Sequence, residues 1–554
     1  MKTIIRSILF LIPGIILFCC IQNVVRYKWE AYLQDPEYSG HVFSELAELK
    51  KESVEIQAFF LGTSHGRYGI DPMQIYDDYG IVTYNLSTCA QPIEGSYYLL
   101  KNLIHDFHPK IIFFDASGLF TERREDSHHH IILDNIGYNP ERFEYAVEYA
   151  KLSDDASFDI KRFKDAIFPF YQYHSRWKSL QNYDFSPKDQ FNFFLKGYFL
   201  VNSNGSAEAN LQGINEIAYK NNRNYGFTYI LSDDKPVETL IDKGLIYAPE
   251  VSERNYDYLK RMDSLCNENG IQLVLMKIHA INYPQYYNGT WTEIKSEMVK
   301  NISAQLRIPF LDLLYDYDLQ IDWATDSVDS GAHLNYKGVR KISDFLGNYL
   351  ANRTNAVPMG NAEYEKDLAQ YYQMSFFSGI QTTSSFKDYL RLIGGLSGKT
   401  ILISADDDMR SSLDEEGISL LHELGLKSDF EHMQYSDAYI AVINNGKVEY
   451  EAVSNRRIEY ETMIGNDVPC KITSAGWMVG NESQILINGT NVSGEKRGIN
   501  IVVFDNESGL VWDSVSFDTW ASADPAGERD LQQTNLRASA YMEYLMKKDG
   551  EAKN

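Results

Sequence analysis

Short apolar runs that alternate with helix-length amphipathic stretches constrain this chain more than any other feature of its sequence. Ala58-Phe59-Phe60-Leu61, Ile81 to Leu86 and Lys110 to Asp115 read as strands, with a helix over 95–106 between the second and third. The pattern resumes with a helix over 251–269, a strand over Ile271 to Met276, a helix near 291–305 and a strand over Ile308 to Asp312. Strands separated by helices predict a parallel sheet in an α/β domain. Between about 120 and 240 the alternation stops. That stretch is aromatic and mixed in charge, and its amphipathic segments at 141–152 and 175–198 predict a mostly helical insertion.

Two motifs sit at the ends of this domain. Gly62-Thr63-Ser64-His65 follows the first strand, where a glycine permits a tight turn and open α/β sheets place their ligands. Asp329-Ser330-Gly331-Ala332-His333-Leu334-Asn335 comes after the last strand and runs into a helix from Gly338 to Tyr349. A serine hydroxyl is a weak nucleophile until an imidazole takes its proton and a carboxylate fixes the imidazole's tautomer. Ser64, His333 and Asp329 together would form such a triad. A plain turn also explains the first motif and a helix start the second, but their joint occurrence in this order favours the triad.

Composition excludes some functions. Net charge is -25 with a pI near 4.9, so nucleic acid would be repelled. Of five cysteines, Cys19 and Cys20 lie in an N-terminal apolar segment, and Cys89, Cys266 and Cys470 give neither a disulfide framework nor zinc spacing. No cofactor or metal is expected. His128-His129-His130 cannot all face one ion in regular structure. Asp406-Asp407-Asp408 could hold calcium or merely cap a helix.

Ile4 to Val25 forms an apolar run of about 20 residues, preceded by Lys2 and interrupted by Arg6. No small-residue cleavage site follows it, which favours an uncleaved signal anchor over residues 1–28. The expected topology is a single pass with the bulk of the chain extracytoplasmic; a buried helix is the other reading. Residues 30–54 read as helical.

The stretch 353–378 reads as a linker and helix, and 379–521 as an α+β domain rich in antiparallel pairs. Its expected strands are Leu390 to Ser404, Ala438 to Ile443, Cys470 to Val479, Ile485 to Ile487, Ile499 to Phe504 and Val511 to Phe517, with a helix over Leu413 to Leu424. A polar helical tail occupies 522–554. Trp477, Trp512 and Trp520 could pack in the core or stack on sugar rings, and the tyrosine content, 39 residues, suits carbohydrate contact.

On these motifs roughly residues 55–352 of a domain assigned to 29–352, outside the insertion, resemble the SGNH (GDSL-like) hydrolase superfamily. The similarity is to its membrane-anchored branch, which includes the D-alanyl-lipoteichoic acid biosynthesis protein and alginate O-acetylation proteins. Gly62-Thr63-Ser64-His65 matches the nucleophile block, Asp329 with His333-Leu334-Asn335-Tyr336-Lys337-Gly338 the acid and base block, and Tyr84-Asn85-Leu86-Ser87 the loop after the second strand. The resemblance implies a three-layer flavodoxin-like fold and serine esterase or acetyltransferase chemistry on a polysaccharide or other glycan. It also implies a membrane-bound O-acyltransferase as acyl donor partner.

The family's usual acid lies three residues before its histidine, whereas Asp329 lies four before His333, so either one residue loops out or Asp326 serves instead. Asp115-Ala116-Ser117-Gly118 stands where the family has Gly-x-Asn-Asp. Oxyanion donors would then be the backbone N–H of Ser64 and the side chain of Asn85. Ser404-Ala405-Asp406-Asp407-Asp408, Leu424-Gly425, Tyr435-Ser436-Asp437-Ala438-Tyr439 and Arg497-Gly498-Ile499-Asn500-Ile501-Val502-Val503 through Trp520 resemble the interleukin-like EMT inducer/PANDER domain in circularly permuted order. That domain also occurs in a glycosyltransferase stem, where it is associated with glycan binding. The resemblances together imply an esterase or acyltransferase coupled to a glycan-binding module, with a catalytically weak or inactive glycan-binding or assembly protein as the alternative. A cell-surface signalling ligand is a third reading.

Overall fold

In a computed structural model the chain divides into two compact units, one built chiefly from residues up to Leu368 and the other chiefly from Ala369–Asn554. The structure describes residues 2–25, 46, 49, 55–120, 126–152, 157–180, 185, 196, 250–278, 290–321, 326–328 and 333–551.

The first unit is organised by a five-stranded sheet, β1 (Ala58–Leu61), β2 (Thr83–Asn85), β3 (Ile111–Asp115), β4 (Gln272–Lys277) and β5 (Phe310–Asp312). The strands are all parallel in the order 2-1-3-4-5, the arrangement of a doubly wound α/β sheet. β1 and β3 are buried at every position, which is why their sequences are unbroken apolar runs rather than alternating ones. Between β1 and β2 the helix Pro72–Tyr79 starts where Asp71 accepts the N–H groups of Met73 and Gln74 at 3.0 and 3.2 Å. It ends at Gly80, whose φ of 65° suits the left-handed cap.

The chain between β3 and β4 forms helices Asp126–Leu133, Pro140–Ala150, Ile160–Ile167 and Pro169–Tyr173. Arg142, buried, binds them together by donating to the carbonyls of Ala166 and Ile136. Of the expected insertion, residues 121–125, 153–156 and 181–240 lie outside the described residues, apart from 185 and 196, and so does nearly all of the helix expected over 30–54.

A helix spans Lys2–Val25 with Pro13 inside it. Among the described residues no helix is long and apolar enough to cross a membrane, and the side chains of the first eleven residues of the expected span lie outside that set. The end of this helix is held by the Arg176 guanidinium, which donates to the carbonyls of Val24 and Val25 at 3.3 and 3.2 Å.

The second unit carries a ten-stranded sheet of β8 (Lys399–Asp407), β9 (Ala438–Asn444), β10 (Lys447–Ser454), β11 (Ile458–Ile464), β12 (Val468–Gly476), β13 (Glu482–Ile487), β14 (Thr490–Asn491), β15 (Gly498–Asp505), β16 (Val511–Phe517) and β17 (Gly527–Glu528). The pairs are antiparallel except for a short parallel contact between β8 and β12. Leu402, Ile440, Val442, Ile472, Ile485, Val502 and Phe504 pack into one apolar cluster. Phe377, Trp512 and Tyr541 form a second cluster with ring centroids 4.6 to 5.5 Å apart.

The strand expected over Leu390 to Ser404 is corrected. Residues Phe386–Gly394 are a helix, because Ser385 caps it by accepting the Asp388 N–H at 3.1 Å and Phe386, Tyr389, Leu390 and Ile393 recur at helical spacing on its buried face. The strand begins only at Lys399. Trp477–Val479, expected to extend a strand, form a 3-10 turn after β12.

Candidate active site

The carboxyl edge of the parallel sheet collects polar side chains that end apolar strands. Asn85 closes β2, Asp115 closes β3, Lys277 closes β4 and Asp312 closes β5. The turn after β1 places Ser64 at the start of the helix Ser64–Gly69. Gly62 makes that turn possible in two ways. Its φ is 143°, and a Cβ there would sit 2.4 Å from Asp115 Cβ. Asp115, buried, fixes the turn by accepting from the Thr63 N–H at 3.3 Å, from the Thr63 hydroxyl and from the Ser117 N–H at 3.0 Å.

His333 arrives from the other end of the domain on a small hairpin. In β6 (Ser327–Val328) and β7 (His333–Leu334), Val328 lies opposite His333 and Ser327 opposite Leu334. The His333 Nε2 lies 2.8 Å from Ser64 Oγ, within hydrogen-bond reach, and both side chains are half-buried. The Tyr68 ring stands edge-on to the imidazole with centroids 5.0 Å apart.

Asp329 lies outside the described residues. Asp326, the alternative acid, is buried and ion-paired with Lys341 Nζ at 2.6 Å. Asn85 has a different place from the one expected. Its fully buried Nδ2 donates to the carbonyls of Gly66 and Ile70 at 2.9 and 3.2 Å, and its Oδ1 accepts the Ser87 N–H at 3.1 Å. An amide with both protons on backbone carbonyls cannot also aim one at a developing oxyanion, so Asn85 is a brace for the nucleophile's helix.

Four residues of this edge were given no role in the sequence reading. His65 sits with its ring centroid 5.5 Å from that of His333. Burial pushes its pKa down to about 4, against the opposing attraction of Asp115, and His333 and two lysines, Lys295 and Lys277, push it further down. Lys277, buried, donates to Ser296 Oγ at 2.6 Å; burial lowers its ammonium to about 8, with Asp312 acting the other way. Asp115 and Ser117 complete the set. The available signal was the charged residue ending each apolar run: Asp115 after Ile-Ile-Phe-Phe, Lys277 after Leu-Val-Leu-Met and Asp312 after Phe-Leu.

The histidine triplet lies apart from this edge in role. His129 Nδ1 is 2.9 Å from the Tyr145 hydroxyl, and His130 Nδ1 is 3.2 Å from Asp134 Oδ2. Among the described residues no three His, Cys, Asp or Glu side chains converge as a metal site.

In the second unit Trp512 is buried under Lys399, 4.0 Å from its ring centroid, whereas Trp477 and Trp520 are exposed. Trp520 stacks beneath the Arg497 guanidinium, 4.1 Å from its ring centroid, and Arg497 is ion-paired with Asp518. Asp408 accepts from the Arg410 N–H at 2.8 Å and from Ser411, so it braces a turn.

No protein-family model matches this chain. No curated protein matches it either. Among solved structures the chain is similar to a Bacteroides fragilis protein whose name proposes an acylhydrolase. The identity is 9%, the match covers 56% of this chain and 96% of that one, and the TM-score is 0.25.

Proposed function

We propose that this chain is a membrane-anchored, extracytoplasmic serine esterase or O-acyltransferase acting on acyl groups, O-acetyl above all, of a cell-envelope or secreted polysaccharide. The observation that carries the reading is the 2.8 Å approach of His333 Nε2 to Ser64 Oγ at the carboxyl edge of a parallel sheet. Ser64 Oγ attacks the acyl carbon while His333 takes its proton, and His333 returns that proton to the departing sugar oxygen. The resulting acyl-serine then passes its acyl group to water or to an acceptor hydroxyl. Asp329 is the preferred partner for His333, since Asp326 is already paired with Lys341.

The oxyanion is received by the Ser64 N–H and its neighbour on the helix's first turn, where N–H groups have no intrahelical acceptor. Each such donor lowers the barrier by about 3 kcal/mol. The second unit holds the polymer through Trp477, Trp520 and the also exposed Tyr435, raising its effective concentration. The apolar run Ile4 to Val25 supplies the anchor, with Ile12, Ile16 and Leu17 exposed on the helix Lys2–Val25. A membrane-bound O-acyltransferase supplies acyl groups.

The engagement of Asn85 Nδ2 with two carbonyls favours one alternative, a glycan-binding protein that turns over slowly or not at all. Labelling with a fluorophosphonate probe separates the two. The folded protein is expected to form an adduct that Ser64→Ala abolishes, and cells carrying Ser64→Ala are expected to show an altered glycan O-acetyl profile. A folded protein without a Ser64-dependent adduct would overturn the enzyme reading and leave the binding role.

A further inference from the structure

His65 follows the nucleophile directly, yet the triad does not require it. Its Nδ1 lies 3.2 Å from Ser117 Oγ, 3.4 Å from Thr63 Oγ1 and 4.0 Å from Asp115 Oδ2. The Thr63 hydroxyl has one proton and donates it to Asp115, so it turns lone pairs toward His65. The carboxylate behind it also favours a proton on Nδ1. These partners assign the Nδ1–H tautomer and leave Nε2 as a bare lone pair. Among the described residues Nε2 has no hydrogen-bond partner, and the side chain is 23% exposed.

The ring stands beside that of His333, centroids 5.5 Å apart and planes tilted by 43°. Two imidazoles therefore stand side by side, one with a nitrogen on the serine hydroxyl and one with an unused acceptor. A sugar presents hydroxyls on adjacent carbons. When one of them attacks the acyl-serine, its proton belongs to His333, and the neighbouring hydroxyl needs an acceptor of its own.

Resting on the acyltransferase reading above, we propose that His65 Nε2 accepts a hydrogen bond from the hydroxyl next to the attacking one, so that the site selects acyl acceptors with vicinal hydroxyls. In the transfer step a bond forms between the acceptor oxygen and the acyl carbon, and the bond from that carbon to Ser64 Oγ breaks. The acceptor's proton passes to His333 Nε2 and from there to Ser64 Oγ. His65 exchanges no proton; its burial, against the attraction of Asp115 and with Lys295 and Lys277 adding to the effect, keeps it neutral and its lone pair available.

The test offers the full-length protein p-nitrophenyl acetate as donor with equal concentrations of 1,2-propanediol and 1,3-propanediol, and reads the ratio of their monoacetates. Both products come from one acyl-enzyme, so any change in acylation rate cancels. The ratio of 1,2 to 1,3 product is expected to be about fivefold higher in the wild type than in His65→Leu, one neutral hydrogen bond's worth, the Leu variant giving the baseline set by the two primary hydroxyls of the 1,3 diol against the one of the 1,2 diol. His65→Gln recovers part of the difference through its carbonyl, and Ser117→Ala, which loosens the ring, gives an intermediate value. If His65→Leu does not fold, the Gln and Ser117 variants carry the test.

A ratio that is the same in the wild type and in His65→Leu, or hydrolysis without transfer, would each overturn the proposal. Absence of a Ser64-dependent fluorophosphonate adduct is a separate outcome that removes the acyltransferase reading and this proposal together.

Discussion

Among individual residues His129 makes a pH-dependent prediction. Burial holds it down to about 3, with His130 beside it adding to the effect, whereas an unfolded histidine titrates near 6.5. Between those values the unfolded chain binds the extra proton, so stability falls as pH drops, by about 1.4 kcal/mol per pH unit for this one group. Urea midpoints at pH 7, 6 and 5 should fall steeply in the wild type and less steeply in His129→Phe; equal slopes would assign the acid sensitivity elsewhere. The residues that could be read from sequence were those whose chemistry is local. Ser64 and His333 announce themselves because a glycine turn after an apolar strand and a histidine before a helix are short-range patterns. The parts played by His65, Asp115 and Asn85 depend on partners tens of residues away, as in the contact of Asp115 with Thr63. Asn85 shows the difficulty: a polar side chain at a strand's end looks like a donor to substrate until its carbonyl partners are known.

Elements were legible where their periodicity was unambiguous. The parallel strands read correctly because burial on both faces leaves only apolar residues, and helices such as Glu253–Glu268 carry a serine cap as well as their pattern. β10 and β11 were not singled out because their half-exposed sequences, Lys-Val-Glu-Tyr-Glu-Ala-Val-Ser and Ile-Glu-Tyr-Glu-Thr-Met-Ile, alternate apolar with charged residues instead of forming the continuous apolar runs that mark the buried strands. β10 joins the sheet through its ladder with β9 and β11 through its ladder with β12, and Tyr450 of the one stacks on Tyr460 of the other with centroids 3.7 Å apart. Inside the second unit Arg529 is paired with fully buried Asp513, at 3.1 Å from Nε to Oδ1 and 2.9 Å from Nη2 to Oδ2, and the Tyr389 hydroxyl adds a bond at 2.9 Å. Arg529→Met should lower stability by about 3 kcal/mol in chemical denaturation, because it strands a buried carboxylate. The nearby Arg537, which also feels Asp513, keeps the loss at the low end of the usual range. Replacing Asp513 by Leu in the same background should restore most of that loss; no restoration would mean that the pair's partners, not its charge balance, set the stability.

For the whole molecule the sequence indicated an α/β domain followed by one rich in antiparallel pairs, and the two units have those characters. It did not reveal that the N-terminal helix ends against Arg176, since that contact joins residues about 150 positions apart. If residues 2–25 are the anchor, their deletion should move the chain from the membrane fraction to the soluble fraction in a cell-fractionation assay. Retention with the membrane would place the anchoring elsewhere. Order of synthesis has its own consequence in the second unit. β8 is the first strand of its sheet to leave the ribosome, yet it pairs along its whole length with β15 and on its other edge with β9 and β12. Until the chain beyond Asp505 has been made, β8 keeps an apolar edge without its neighbour, open to pairing with another copy. A cell producing this protein must therefore shelter a half-built sheet through most of that unit's translation, and the shelter is needed whatever the finished sheet goes on to bind.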